Sequence, residues 1–445
     1  MKVDVLLAVT SALMLSACQS YTPAPPVLDA FPATLEARRL TEKPPEAEWT
    51  PSDLLAAALA RNPNIARAAS AYRSAAAASK AARVRPALSL TLTAEYSRDA
   101  SPWLYGAQSD LPLDLRSRRD ARWTAADLGL LQAYYDYGDA IWAVRNDLAR
   151  ARLDRLSADR EIVLASAISA ARQLRLDRME ARVEAGEDAR PTALLARTDA
   201  AGARRRLADL LARQDQANIA LAYALGVSPV ALTDLKLAPE ITPAPAVIIE
   251  TPRVQLVQAR RDVLRAVAAY DLVENALRLE VARQYPEVRL GPGYSWDHGV
   301  AKLPFNLNLA LPPSDMNRAN IALAEAKRSE AGRALEAIQA QVLAQFNQAQ
   351  HALIAAQLQL EIARDRDLPV AKAAALAAER SLKAGETDRT DELAARAAEL
   401  ETELALTDAQ RAFSSALIDL EDAQRRPFDP DERAIVEAAR PGGPS

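Results

Sequence analysis

Side chains that often act in catalysis or metal binding are few in this chain of 445 residues. The two histidines, His298 and His351, lie far apart and match no metal-binding spacing. The sequence lacks a glycine-rich phosphate loop, a nucleophile elbow and a His-Glu-x-x-His motif. Acidic residues are numerous but are mixed with basic ones in helical patterns, which is typical of solvated faces. We therefore predict no catalytic residues, no metal site and no cofactor.

Cys18 is the one cysteine of the chain, so no intramolecular disulfide can form. It follows an apolar segment at 5–15 and the small residues Ser16 and Ala17, a pattern that resembles a bacterial lipobox. We predict a signal peptide over 1–17 and lipidation of Cys18. The alternative is an ordinary signal peptide cut near Ala17. In the lipoprotein sorting pattern that this segment resembles, Gln19 directs the protein to the outer membrane.

The composition favours long helices and coiled coils. Alanine is abundant, aromatic residues make up 5%, and there are only 13 glycines. The net charge of −4 lacks the basic excess of nucleic-acid-binding proteins, so no nucleic-acid partner is expected. No apolar segment of 18 residues follows the leader, so the sequence predicts no transmembrane helix in the mature chain.

Two regions, 87–116 and 286–312, replace the helical pattern by an alternation of apolar and polar residues. Such alternation predicts strands with one apolar and one polar face, and each region therefore predicts a β-hairpin. The clearest apolar series is Leu303, Phe305, Leu307, Leu309 and Leu311. Aromatic residues cluster near the two turns: Tyr96, Trp103, Tyr105, Tyr294 and Trp296.

The chain repeats one plan twice: a helix, a hairpin, a very long helix, a glycine and a return helix. The first long helix, from about 118 to Gly186, would be roughly 100 Å long. Gly186 and Gly385 end the two long helices, where a left-handed cap is expected. The predicted segments are a lipidated proline-rich tether (18–48), repeat 1 (49–226), a largely non-helical linker (227–252), repeat 2 (253–426) and a disordered tail (427–445).

The apolar faces of the hairpins lack a helix with a matching apolar stripe to cover them. In water they would promote aggregation, whereas in a bilayer they match the strands of transmembrane barrels. A barrel must close in lipid, and four strands are too few to close one. We therefore expect three copies to contribute twelve strands, with the helices projecting as a tube. The alternative is a pair of soluble hairpins packed on helices.

With this organisation, the sequence resembles the TolC-like outer-membrane efflux factors. The likeness covers 50–425 and includes the doubled plan, Arg61-Asn62-Pro63, Pro86 and Pro286 before the strands, and the two glycine tips. The stretches 285–299 and 317–322 look like the cation-efflux (CzcC-like) branch. The resemblance implies a mainly α fold with a small β part, in which long helical hairpins form an α-barrel on a trimeric twelve-stranded β-barrel.

The resemblance also implies a function and its partners. A lipid-anchored homotrimer in the outer membrane of a Gram-negative bacterium would dock with a periplasmic adaptor and an inner-membrane pump. It would act as a passive duct for small solutes, either metal cations or drugs. The alternative is a lipid-anchored coiled-coil adaptor, which would carry one helical hairpin within β-rich modules.

The two tips are the predicted periplasmic gate and adaptor-docking surface, at Gly186, Gly385, Asp388, Arg389 and Asp391. The family pattern places acidic residues six and nine positions after the second glycine. Asp391 is the first of these, whereas Ala394 departs from the pattern. Thr192 is the equivalent position of the first repeat. Clustered carboxylates would favour cations, and Arg389 is a candidate latch of the mouth.

Overall fold

A computed structural model describes residues 21–44, 46–84, 87–98, 100, 102–113, 116–239, 253–311 and 313–439. The predictions for the signal peptide and Cys18, and the second half of the linker (240–252), lie outside these residues. The chain divides into two units, Met1–Arg39 and Leu40–Ser445. The first contains helix α1 (Ala30–Ala37), so part of the predicted tether is helical.

The second unit is mainly helical, as predicted, and contains both repeats. Helices of the first repeat are α2 (Pro51–Arg61), α3 (Pro63–Ala82), α4 (Arg116–Glu184) and α5 (Arg190–Leu225). Helices of the second are α6 (Arg253–Ala259), α7 (Arg261–Ala282), α8 (Ser314–Ile362), α9 (Leu368–Ala384), α10 (Arg389–Gln424) and α11 (Pro430–Ala438). With 69 residues, α4 is about 100 Å long.

Local sequence explains where the first helices begin. The Thr50 side chain accepts from the Asp53 N–H, and the Asp53 carboxylate accepts from the Thr50 N–H, which forms a capping box at α2. Asn62 ends this helix and caps the next, since its side-chain oxygen accepts from the Asn64 N–H at 2.8 Å. Prolines at the first position of α2 and α3 suit a helix start.

A π-helical turn, Ala363–Asp367, separates α8 from α9 and interrupts a helix that the sequence predicts as continuous. Pro369 explains the interruption, because it has no N–H to donate to the preceding turn and its ring clashes with the carbonyl of Asp365. The helix accommodates an extra residue instead of ending.

The strands form one antiparallel sheet. They are β1 (Ser89–Tyr96), β2 (Trp103–Pro112), β3 (Glu287–Asp297), β4 (Val300–Lys302) and β5 (Phe305–Ala310). The two predicted hairpins are joined, because β2 pairs with β3. The fourth predicted strand is divided into β4 and β5, which both pair with β3. The division falls at Leu303 and Pro304, and a proline cannot donate to a ladder.

The register places the predicted apolar positions of all strands on one face. Leu92 pairs with Ala107, Ala107 with Tyr294, and Leu290 with Leu307. Directly paired residues of antiparallel strands lie on the same face. Phe305 and Leu307 are 65% and 56% exposed, so this face is uncovered in a single chain.

The core of the second unit lies where α4 packs against α2, α3, α5, α7 and α10. The C-terminal segment contributes to this core, since Val436 of α11 is buried with Leu55, Ile141 and Leu225. The predicted disordered tail is therefore wrong over 430–438. Asp429 caps α11 and Pro430 occupies its first turn, so a proline that suggested disorder instead starts a helix.

The first part of the predicted linker also folds onto the core. A 3₁₀ helix, Pro229–Leu232, is followed by an extended segment that pairs with Trp49. The Trp49 N–H donates to the Lys236 carbonyl at 2.8 Å, and the Ala238 N–H donates to the Trp49 carbonyl at 3.0 Å. Among the helices of the described ranges, none has both the length and the apolar composition needed to cross a membrane.

A buried ionic group holds α10 and α11 against α4. Arg145, 4% exposed, contacts Glu421 at 2.7 Å and Glu432 at 2.5 Å. Beside it, the Trp142 indole N–H donates to Asp422 at 2.6 Å. Removing the arginine would leave two buried carboxylates without their shared cation.

We expect Arg145→Ala to lower the free energy of unfolding by about 3–5 kcal/mol, because it strands buried carboxylates. Arg150→Ala is the matched control, since Arg150 forms an exposed pair with Asp419 and its loss should cost about 0–1 kcal/mol. Urea unfolding of the purified protein measures both. Equal effects of the two substitutions would contradict a structural role for the buried group.

Candidate functional site

The two tips have the same backbone geometry. The Gly186 N–H donates to the Val183 carbonyl at 3.1 Å, the Glu187 N–H donates to the Arg182 carbonyl at 2.9 Å, and the same pair of bonds closes the tip at Gly385. Both glycines have left-handed φ values, +76° and +75°. A Cβ atom would meet nothing within 4 Å at either position. The conformation, not a lack of space, therefore requires glycine.

Asp388 has two roles at the second tip. It is the N-cap of α10, and its carboxylate accepts from the N–H groups of Thr390 at 2.7 Å and Asp391 at 3.1 Å. Its other oxygen pairs with Arg182 at the end of α4. The hydrogen bond from the Thr390 hydroxyl, with these backbone donors and Arg182, lowers the pKa of Asp388. The carboxylate therefore remains charged at neutral pH.

Arg182 joins the two tips, because its Nε also lies 2.7 Å from Asp188 after the first glycine. The sequence suggested Arg389 as a latch, but in a single chain Arg389 pairs with Glu392 of its own helix at 3.2 Å. Asp391 is exposed beside this pair. The structure thus brings Gly186, Gly385 and Asp388 together through a residue that sequence reasoning did not single out.

Arg182 is the last member of a column of residues that steps along α4 at intervals of seven. The column consists of Asp154, Glu161, Ile168, Arg175 and Arg182. A spacing of seven residues keeps side chains on nearly one line of a helix. This line lies between α5 and α10, and both neighbours contribute charges to it.

In the middle of α4 the column is acidic and its neighbours are basic. Glu161 is fully buried and lies 2.9 Å from Arg213 of α5 and 3.8 Å from Arg411 of α10. Asp154 lies 3.8 Å from each of the same arginines. Burial raises the pKa of Glu161, although Arg213 and Arg411 oppose the rise.

Towards the tip the signs reverse. Arg175 lies 3.6 Å from Asp199 of α5, and the adjacent Arg172 reaches Asp199 at 3.1 Å and Glu401 of α10 at 2.5 Å. Between the two halves, Ile168 packs with Leu404 in an apolar cluster. A slip of α4 by one heptad would place Ile168 between the two arginines, and a slip by two would place Arg175 there. The reversal of sign therefore specifies the register of the three helices.

The acidic side chains of the tips are partly paired with Arg182 and partly exposed. Glu386 and Asp391 are exposed, and clustered carboxylates attract cations from solution. Across the residues that the structure describes, no group of three or more His, Cys, Asp or Glu side chains is arranged to hold a metal ion.

We expect Asp388→Asn and Asp388→Ala to separate the two roles of this residue. Asparagine caps a helix about as well as aspartate, so Asp388→Asn should remove the ion pair between Arg182 and residue 388 and speed amide hydrogen exchange at 186–191 while 389–392 remains protected. Asp388→Ala should speed exchange in both segments, because the cap is lost too. Hydrogen–deuterium exchange with mass spectrometry measures this, and unchanged exchange at 186–191 in both variants would contradict the link between the tips.

Comparisons with known proteins agree with this architecture. Residues 54–227 match the family model described as outer membrane efflux protein. No curated protein sequence matches the chain.

Several solved structures share the fold. The CmeC outer membrane channel of Campylobacter jejuni is 13% identical with a TM-score of 0.73, and the match covers 95% of this chain and 98% of CmeC. The outer membrane protein VceC of Vibrio cholerae is 19% identical with a TM-score of 0.70, and the match covers 85% and 97% of the two chains. The open state of the MtrE outer membrane channel of Neisseria gonorrhoeae is 19% identical with a TM-score of 0.69, over 84% and 89%. The resemblance to the TolC-like outer-membrane efflux factors is therefore confirmed, by the family model over the first repeat and by the fold over most of the chain.

Proposed function

We propose that this protein is the outer-membrane channel of a tripartite efflux system, a passive trimeric duct that carries small solutes, metal cations or drugs, from the periplasm to the exterior. The observation that carries the proposal is a small sheet with one exposed apolar face and two unpaired edges, attached to helices about 100 Å long. A lone sheet of this kind is stable neither in water nor in lipid.

The edges of the sheet support a trimer. In one chain β1 lies at one edge, and β4 and β5 form the other. If β1 of one copy pairs with β5 of the next, three copies give a closed barrel of about twelve strands. Such a head-to-tail contact closes when the rotation between copies is one third of a turn.

The helices support the same arrangement. Within one chain α4 and α10 are flanked by neighbours on both sides, whereas α5 and the pair α8–α9 are the outer members of the set. Both outer members expose large apolar side chains. On α5 these are Leu194, Leu195, Leu211, Ile219 and Tyr223, and on α8 and α9 they are Met316, Leu323, Ile354, Leu358, Val370 and Leu376. Contact between α5 of one copy and α8–α9 of the next would cover both sets.

Localisation and partners follow from this proposal. The strands would lie in the outer membrane, Cys18 would carry the lipid, and the tips would reach the periplasm. Energy must come from a pump, with a periplasmic adaptor docked at the tips around Gly186 and Gly385. The intact mass of the mature N-terminus tests the lipid. The alternative, an adaptor, requires β-rich modules around one helical hairpin, whereas the described residues contain two helical hairpins and one sheet.

The proposed lipid-facing side chains are Leu303, Phe305, Leu307, Leu309 and Leu311. We expect Leu307→Arg to weaken barrel assembly by about 2–4 kcal/mol if the residue lies near the midplane of the bilayer. Asn306→Arg is the matched control on the opposite face and should be tolerated. Heat-modifiable migration of the trimer from outer-membrane fractions measures assembly. Equal effects at the two neighbouring positions would exclude the proposed facing.

Asp391 would occur three times around the axis of a trimer. We expect Asp391→Ala to reduce cation selectivity and block by multivalent cations in planar-bilayer recordings, because a ring of carboxylates attracts cations. Glu386→Ala, at the exposed tip before the cap of α10, is the control and should change both properties less. Unchanged selectivity and block in the Asp391 variant would remove this residue from the gate.

A further inference from the structure

A groove of about 330 Å³ lies in the helical wall, between α4, α8 and α10. It is far from the tips, at the level where α8 passes into the π-helical turn Ala363–Asp367. Leu360 and Arg364, which flank the start of this turn, form one side of the groove. Its volume is at the lower end of the range of roughly 300–1,000 Å³ that is typical of small-molecule sites.

The π-helical turn explains why the wall opens here. An extra residue in one turn shifts the side chains that follow it out of the preceding seam, and such turns occur frequently at functional sites. Ala363 is buried in the turn, whereas α9, which follows, has no buried residue. The groove lies beside the start of this turn, where Leu360 and Arg364 line it.

The floor of the groove is apolar and includes buried hydroxyl groups. Leu153 and Phe413 are 5% and 8% exposed, and Leu360 is half-buried. Ser157 of α4 and Ser414 of α10 are buried beside them. A body of hydrocarbon could lie on the leucine and phenylalanine side chains, with the serines able to accept or donate one hydrogen bond each.

The rim of the groove carries three arginines, which differ in how closely they pair with carboxylates. Arg364 forms two hydrogen bonds with Asp365, at 2.8 and 2.9 Å. The Nε of Arg411 is buried without a hydrogen-bond partner, and the carboxylates of Glu161 and Asp154 approach its guanidinium no closer than 3.8 Å. Arg160 is exposed and pairs with no carboxylate among the described residues.

Glu361, the acidic side chain of the rim, forms no ion pair with Arg160 or Arg411 among the described residues. Glu361 accepts a hydrogen bond from Gln357 at 3.0 Å on its own helix. Within the described ranges Arg160 therefore has no ion pair, whereas Arg411 is shared with Glu161 and Asp154 at 3.8 Å and forms no hydrogen bond with either. Guanidinium groups bind carboxylates and sulfates through paired, charge-assisted hydrogen bonds.

We propose that this groove is a binding site for an amphipathic organic anion, with a carboxylate or sulfate head at Arg160 and Arg411 and an apolar body on Leu153, Leu360 and Phe413. The site lies in the wall of the helical tube, apart from the acidic tip, and has the opposite charge preference. It adds to the proposed duct a place where anionic, partly apolar solutes are retained.

Binding of octanoate to the full-length protein in lipid nanodiscs tests the proposal, and octanamide is the neutral counterpart. Equilibrium dialysis with radiolabelled octanoate measures binding above that of empty nanodiscs. We expect octanoate to bind at least about tenfold more tightly than octanamide, since hydrogen bonds to a charged group are worth more than neutral ones. Similar affinities for the two compounds, or no octanoate binding above empty nanodiscs, would overturn the proposal.

Arg160→Gln is the decisive variant, because Arg160 has no ion pair among the described residues whose loss would disturb folding. It should weaken octanoate binding by about tenfold or more and leave octanamide binding unchanged. Arg333→Gln, which removes a 79% exposed arginine of α8, is the control and should change neither. Unchanged octanoate binding in Arg160→Gln, or an equal loss in the control, would overturn the assignment. The measurement reads binding, so its result is independent of whether the duct transports solutes.

Discussion

The arrangement of the helices depends on how α4 is held between α5 and α10. Its column of charges changes sign at Ile168, from Asp154 and Glu161 to Arg175 and Arg182, and the flanking helices carry the opposite sign at each level. Exposed ion pairs contribute little stability, so the column acts mainly by excluding wrong registers. Glu161, which is fully buried, makes a slip most costly, because a displaced buried carboxylate would have no cation.

This constraint is unequal around the set of helices. Arg172 links α4 to both of its neighbours through ion pairs with Asp199 and Glu401. Helix α9 is held less firmly, because it has no buried residue; its Lys372 pairs with Glu403 of α10 at 3.5 Å. The Arg182–Asp388 ion pair connects the end of α4, the most firmly held helix, to the start of α10.

Much of the fold was predictable because it rests on local periodicity. The strands follow from the alternation of apolar and polar residues, and the glycine caps follow from the end of the helical pattern. The pairing of Leu92 with Ala107 and of Leu290 with Leu307 confirmed that the apolar residues share one face of the sheet. The π-helical turn at Pro369 and helix α11 were missed, because a proline indicates a break without showing whether the helix ends, adapts or begins. Arg182 was missed as the link between the tips because its partner Asp388 is remote in sequence.

The sheet and the helices solve the problem of association by different physical means. In the sheet, the edge strands β1 and β5 have unpaired backbone N–H and C=O groups, and a neighbouring strand would pair with them. On the polar face of the same sheet, Arg289 pairs with Asp110 at 3.2 Å. In the helices the apolar side chains of α5 and α8 need a partner surface but do not fix its height. The height is fixed within each chain by the α4 column. A trimer built on these edges would therefore take the level of its tips from the α4 column inside each protomer, in which Glu161 is fully buried and Asp154, Arg175 and Arg182 are partly exposed.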